Sequence, residues 1–293
     1  MRVLCCCLLL VAQSALACIQ EPISTRPSRP KTPVAVDVTT LHERLNAKPE
    51  GRIPAFDDAY RPLIAAATGA EQKRLEMERS AIRDILTGNS LQAIDTLLAI
   101  EAAHPGLYPT ASTLGTAYEL AGDNHSALHW IQEGIARNPN SHGGTEWLHV
   151  QILQAKIAME TEPTYLATHP IVPYPERPAQ EMGELLQRTH HDKPSEEVMD
   201  ALHFQLSERM LFVKPEDPVV ADLLHSFSRL EAARYSGEGE ANLLKLARKY
   251  GYRDGTEQTL AERATGIVQS PRFPGAIVLG GLALMLFLKL RTW

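Results

Sequence analysis

Cysteine is nearly absent from the part of this sequence that can fold. Of its four cysteines, Cys5, Cys6 and Cys7 lie inside an apolar N-terminal run and only Cys18 follows it. One thiol closes no intramolecular disulfide, so packing has to hold the mature chain together. A basic surface is missing as well. The formal net charge is -6 and no stripe of Lys and Arg occurs, which excludes nucleic acid as a partner, because phosphate binding needs concentrated positive charge. No segment alternates apolar and polar residues over a useful length, so strands are not expected. GxSxG, Walker A and GxGxxG patterns are all lacking, and the linear sequence points to no catalytic residue, cofactor or metal.

What is present begins with two hydrophobic ends. Arg2, the run "VLCCCLLLVA" and Ala15-Leu16-Ala17 form the charged, apolar and small-residue parts of an export signal, expected over 1–17. Cys18 then stands at the first mature position, where it is a candidate acceptor for a lipid. At the other end, Phe273 to Leu288 carries no charge and is followed by Lys289, Arg291 and Trp293. A span needs about 20 residues, which snorkelling of Lys289 and an interfacial Trp293 help to supply. A single transmembrane helix is therefore expected over 273–290. Together the ends predict a single-pass protein of the cell envelope with its folded part on the extracytoplasmic, periplasmic side.

Between the ends, composition divides the chain. Pro22, Pro27, Pro30 and Pro33 among small polar residues read as an extended linker, taken as 18–53. Helical texture fills 54–173. Pro163, Pro170, Pro173, Pro175 and Pro178 then break it, with a connection expected over 174–194. It returns over 195–265, where Val198, Leu202, Leu206 and Met210 fall every four residues on one face. A further helical pair is expected between Asp217 and Tyr250. The fold class is all-α.

One phrase is written twice. "LTGNSLQAIDTLLAIEAAHPG" from Leu86 returns as "LAGDNHSALHWIQEGIARNPN" from Leu120, 34 residues later. Leu86, Gly88, Ala93 and Pro105 are matched by Leu120, Gly122, Ala127 and Pro139. Glycine suits a tight turn between helices, small residues suit a close helix crossing, and proline suits the exit. In the second copy, Leu114, Gly115 and Tyr118 precede the turn. This period and these residues resemble the tetratricopeptide repeat family. The best units are 74–107 and 108–141, with 143–160 as a capping helix that lacks the turn glycine. The family's early Trp is replaced by Ala111, and the first copy has Ser80 and Asp84 where Leu and an aromatic would stand.

The resemblance implies an α-solenoid of helical hairpins whose first helices line a groove for a partner protein. On this sequence that lining would be Glu78, Ile82, Ser112, Thr116, Glu119, Glu146 and Val150. It carries no base, so a basic or amphipathic partner segment is expected. Two groups of histidines have spacings that could suit a metal. His125 and His129 are one helical turn apart beside Asp123, but no glutamate follows His125 to make HExxH. His142, Glu146 and His149 share a helix face and read more simply as polar exposure. The expectation is a membrane-tethered scaffold or adaptor. A permanent structural subunit of an envelope complex is the alternative, and a metal-dependent enzyme on the histidine-bearing helices is the reading of another class.

Overall fold

A computed structural model describes residues 38–174, 195–234 and 238–253. The export signal, Cys18, the proline-rich stretch before Val38, most of the 174–194 connection and the C-terminal apolar segment lie outside the described residues. The chain divides into two units, Met1–Gly251 and Tyr252–Trp293, and all the described helices lie in the first. They are α1 (Thr39–Asn46), α2 (Ile53–Ala66), α3 (Gly69–Leu86), α4 (Ser90–Ala103), α5 (Tyr108–Leu120) and α6 (Asn124–Arg137). After these come α7 (Glu146–Thr161), α8 (Ser195–Phe212), α9 (Pro218–Arg234) and α10 (Glu238–Lys249). No strand occurs among the described residues, and the fold is all-α. Among the described residues no helix is long and apolar enough to cross a membrane.

The doubled phrase produces two turns with the same hydrogen bonds. After α3, Gly88 takes φ +83, its N–H donates to Ile85 O at 3.1 Å, and Asn89 N–H donates to Asp84 O at 2.7 Å. After α5, Gly122 takes φ +88, its N–H donates to Glu119 O at 3.0 Å, and Asp123 N–H donates to Tyr118 O at 3.0 Å. Both are left-handed glycine C-caps that satisfy carbonyls orphaned at a helix end. The residue after each glycine then opens the next helix. Asn89 O and Asp123 O accept from Ala93 and Ala127 N–H, and the Asp123 side chain also accepts from Ser126 N–H at 2.9 Å. The turns are short, so α3 with α4 and α5 with α6 pack as antiparallel neighbours.

Their cores follow the same spacing. Ala93 and Ala127 are fully buried, as is Leu114, and Leu97 and Ile131 are nearly so. One cluster joins Phe56 and Tyr60 of α2 to Ile82, Ile85, Leu97, Ile100 and Leu114. A smaller one joins Ala127 and Ile131 to Leu153 of α7, with Tyr118 touching both. After α7 the pattern stops. Its N-terminus follows a tight turn through His142, Gly143 and Gly144, all at positive φ, and the segment after it buries Ile171 and Val172 as non-helical chain. Ile171 N–H donates to the Asp222 carboxylate of α9 at 2.9 Å.

Part of the stretch assigned to the linker is folded. Over 39–52 the chain forms α1 and a short 3-10 turn, Pro49–Arg52. Leu41 and Leu45 are buried as α1 packs on α8. Lys214 Nζ donates to the carbonyls of Arg44, Leu45 and Ala47 at 3.1, 3.1 and 2.9 Å, so a cation far along the chain satisfies the end of α1. Arg52 reaches Glu208 of α8 at 3.0 Å. These elements depend on contacts more than 150 residues away in sequence, and no local pattern announces them.

Two glycines of the second hairpin should respond oppositely to alanine. A Cβ on Gly115 would meet Ile131 Cδ1 at 2.5 Å, Cγ1 at 2.6 Å and the Ile131 backbone N at 3.1 Å, so Gly115→Ala should cost about 1–3 kcal/mol through overpacking. A Cβ on Gly134 meets Ser112 no closer than 3.5 Å, so Gly134→Ala should be neutral or gain about 0.5–1 kcal/mol from helix propensity. Urea unfolding of the two variants beside the parent checks both signs.

Candidate functional site

Three helices distant in sequence turn polar faces toward one another. On α5, Thr116, Glu119 and Leu120 fall at i, i+3 and i+4; on α7, Glu146, His149 and Lys156 lie along one side. On α8, Phe204, Gln205, Glu208, Arg209 and Phe212 form a third. With His142 and Val213 they enclose a cavity of about 240 Å³. Its polar centre is Glu119, whose side chain is 7% exposed.

Four N–H donors satisfy that carboxylate. His149 Nε2 donates to Oε2 at 2.7 Å and Lys156 Nζ to Oε1 at 2.9 Å. Arg209 reaches both oxygens, through Nη1 to Oε1 and through Nη2 to Oε2 at 3.3 Å. A fork of this kind matches the planar guanidinium to the planar carboxylate. Burial by itself would raise the Glu119 carboxyl, but the attractions of Arg209, His149 and Lys156 together outweigh it and hold the group well below the usual carboxylate range.

The chain of groups continues past His149. Glu146 Oε2 lies 3.3 Å from His149 Nδ1, and Glu146 Oε1 is in contact with His142 Nδ1. Burial pushes the His149 ring below its ordinary value, with the hydrogen bond to Glu119 pulling the other way. Burial also lowers His142. Carboxylate and imidazole thus alternate from Glu119 to His142, and burial favours the neutral form of both rings. The ring of His142 also stacks on Phe204, with centroids 5.2 Å apart.

The expected groove residues divide. Thr116, Glu119 and Glu146 come together on this cavity. Glu78 is paired with Arg74, one turn earlier on α3. Ile82 sits in the first core cluster. Ser112 faces the Gly134 backbone of α6, and Val150 packs against the Ala127–Ile131–Leu153 cluster. His125 and His129 remain apart from the site: the first lies 3.5 Å from Glu160 at the surface and the second stands edge-on to Trp130. Among the described residues no group of three His, Cys, Asp or Glu side chains is placed to hold a metal ion.

The sequence reading missed Lys156, Gln205, Glu208 and Arg209. Arg209 is 90 residues from Glu119. The only available signal was that α8 follows its buried stripe of Val198, Leu202, Leu206 and Met210 with polar residues on the flank.

Glu119→Gln removes the one charge that offsets Arg209 and Lys156 while keeping the shape, and should destabilise the chain by about 3–5 kcal/mol in urea unfolding. The histidines carry a pH signature. Because burial holds His149 below its ordinary 6.5, the unfolded chain takes up the proton first as pH falls. The stability contributed by this ring is complete above pH 6.5 and is lost below it. The stability difference between the parent and His149→Gln should therefore shrink between about pH 6.5 and pH 5, measured by urea unfolding across that range. No family model, no curated protein and no solved structure matches this chain.

Proposed function

We propose that the chain is a membrane-tethered scaffold of the cell envelope, built as an α-solenoid of tetratricopeptide-like hairpins, that holds another protein against the face where α5 and α7 meet α8. The observation that carries this reading is the equivalence of the two hairpins. A repeat whose turns share their hydrogen bonds 34 residues apart, Asp84 and Ile85 answering to Tyr118 and Glu119, is a stacking unit, and stacked units present continuous surface. The face also has a stated chemistry. Glu119 is already occupied by an arginine of the same chain, so the rim offers a partner its half-buried apolar edge of Leu120, Phe204, Phe212 and Val213, which supports an amphipathic helical segment as the kind of partner that suits it. The export signal and the C-terminal apolar segment supply the tether.

A second reading has its own support. Helix α8 already satisfies Glu119, and among the described residues the large apolar side chains left exposed are Leu91, at 73%, and Leu98, at 38%, one above the other on α4. A permanent subunit of an envelope complex would dock through that outer side.

One pull-down from gently solubilised membranes tests both, comparing the parent with Thr116→Lys at the half-buried rim of the cavity and with Leu91→Glu on α4, each checked for helicity. Recovery of a defined partner that falls at least about tenfold with Thr116→Lys and not with Leu91→Glu supports the scaffold face. The reverse pattern moves the contact to α4 and favours the subunit. Recovery that ignores both substitutions sinks the two readings together.

A further inference from the structure

Around the cavity the carboxylates Glu119, Glu146 and Glu208 are balanced by Lys156, Arg209 and Arg52, and one lining amide has no hydrogen-bond partner among the described residues. Glu119 is matched by Arg209 and Lys156, and Glu208 by Arg52. Glu146 is engaged by the two histidines. A charged guest would give up its hydration without meeting an unpaired opposite charge. Gln205 is different. It is 5% exposed, lines the cavity, and is turned in from α8 beside Phe204. Among the described residues its amide makes no hydrogen bond. Its polar atoms are not among the buried ones left without a partner, so they open onto the cavity, where water or a guest, rather than the protein, completes their hydrogen bonds.

A primary amide presents an acceptor and a donor side by side, and its best complement is a planar group with the same pair reversed. Around it the wall is apolar: Leu120, Phe204, Phe212 and Val213, each half-buried, so the cavity is reached past hydrophobic edges. A cavity of about 240 Å³ is the share of roughly eight waters, which is room for a single ring with one substituent. We infer that this cavity is a binding site for a small neutral planar molecule with an amide-like edge, held by the Gln205 amide with its apolar body against Phe204 and Phe212. The inference is independent of the scaffold reading, since it concerns what enters beneath α8 rather than what docks outside it.

Isothermal titration of the full chain in detergent with three probes of one shape tests this: benzamide, benzoate and benzylamine. Benzamide should bind at least about tenfold more tightly than the anion or the cation, because it alone pairs with Gln205 without bringing an unmatched charge. In Gln205→Met, which conserves volume and removes the amide, benzamide affinity should fall about tenfold or more while the melting temperature is unchanged or higher. The inference is overturned by the absence of benzamide binding, by equal binding of the three probes, or by full retention in Gln205→Met. If that variant does not fold, the ranking of the three probes on the parent chain still decides.

Discussion

Taking the charge of Glu119 out of water is the constraint around which the first unit is arranged. Desolvation of a carboxylate costs several kcal/mol, and it is offset only when every lone pair finds a donor of suitable geometry. Here the donors come from α7 and α8, and Arg209 brings the planar fork that satisfies both oxygens. None of the three helices can move far without exposing that cost. The neighbouring contacts reinforce the same arrangement. Glu208, one residue before Arg209, is pinned by Arg52, and Lys214 closes the end of α1 through its carbonyls. Helix α8 is thus held to the start of the described chain and to the second hairpin at once.

The hairpins contribute a different kind of order. Their turns rely on glycine φ values that other residues rarely adopt and on paired carbonyl caps, both set within a few residues. Their cores rely on size matching: Gly115 leaves room for Ile131, and fully buried Ala93 and Ala127 allow the helices to approach. Interactions of that range make the pattern repeat. Where the grammar ends, after α7, the chain covers the remaining apolar surface with irregular segments and with α8 to α10.

This division bears on function. A lining of carboxylates on first helices suggests an open acidic surface when it is read as sequence. In the folded chain Glu119 and Glu78 already have cationic partners of their own, so little free negative charge is left there to attract a ligand. What remains for recognition is the half-buried apolar rim, the amide of Gln205 and the outer leucines of α4. Charge defines the architecture of this region, and neutral surface is left to do the binding.

Sequence by itself determined the helical class, the place of the two glycine turns, the apolar stripe of α8 and the small-to-large matching of the second hairpin. All of these are decided by neighbours within about one repeat, which is why a 34-residue echo could be read directly. The tertiary structure alone decided that α1 folds, that His149 and Glu146 are buried rather than solvated, and that Ser112 and Val150 face inward to other helices. It also brought Arg209 and Gln205 to the site. The physical reason is the same in each case. A side chain's partner across a helix interface depends on where a distant helix lands, and that is governed by burial summed over the whole unit, which no local spacing records.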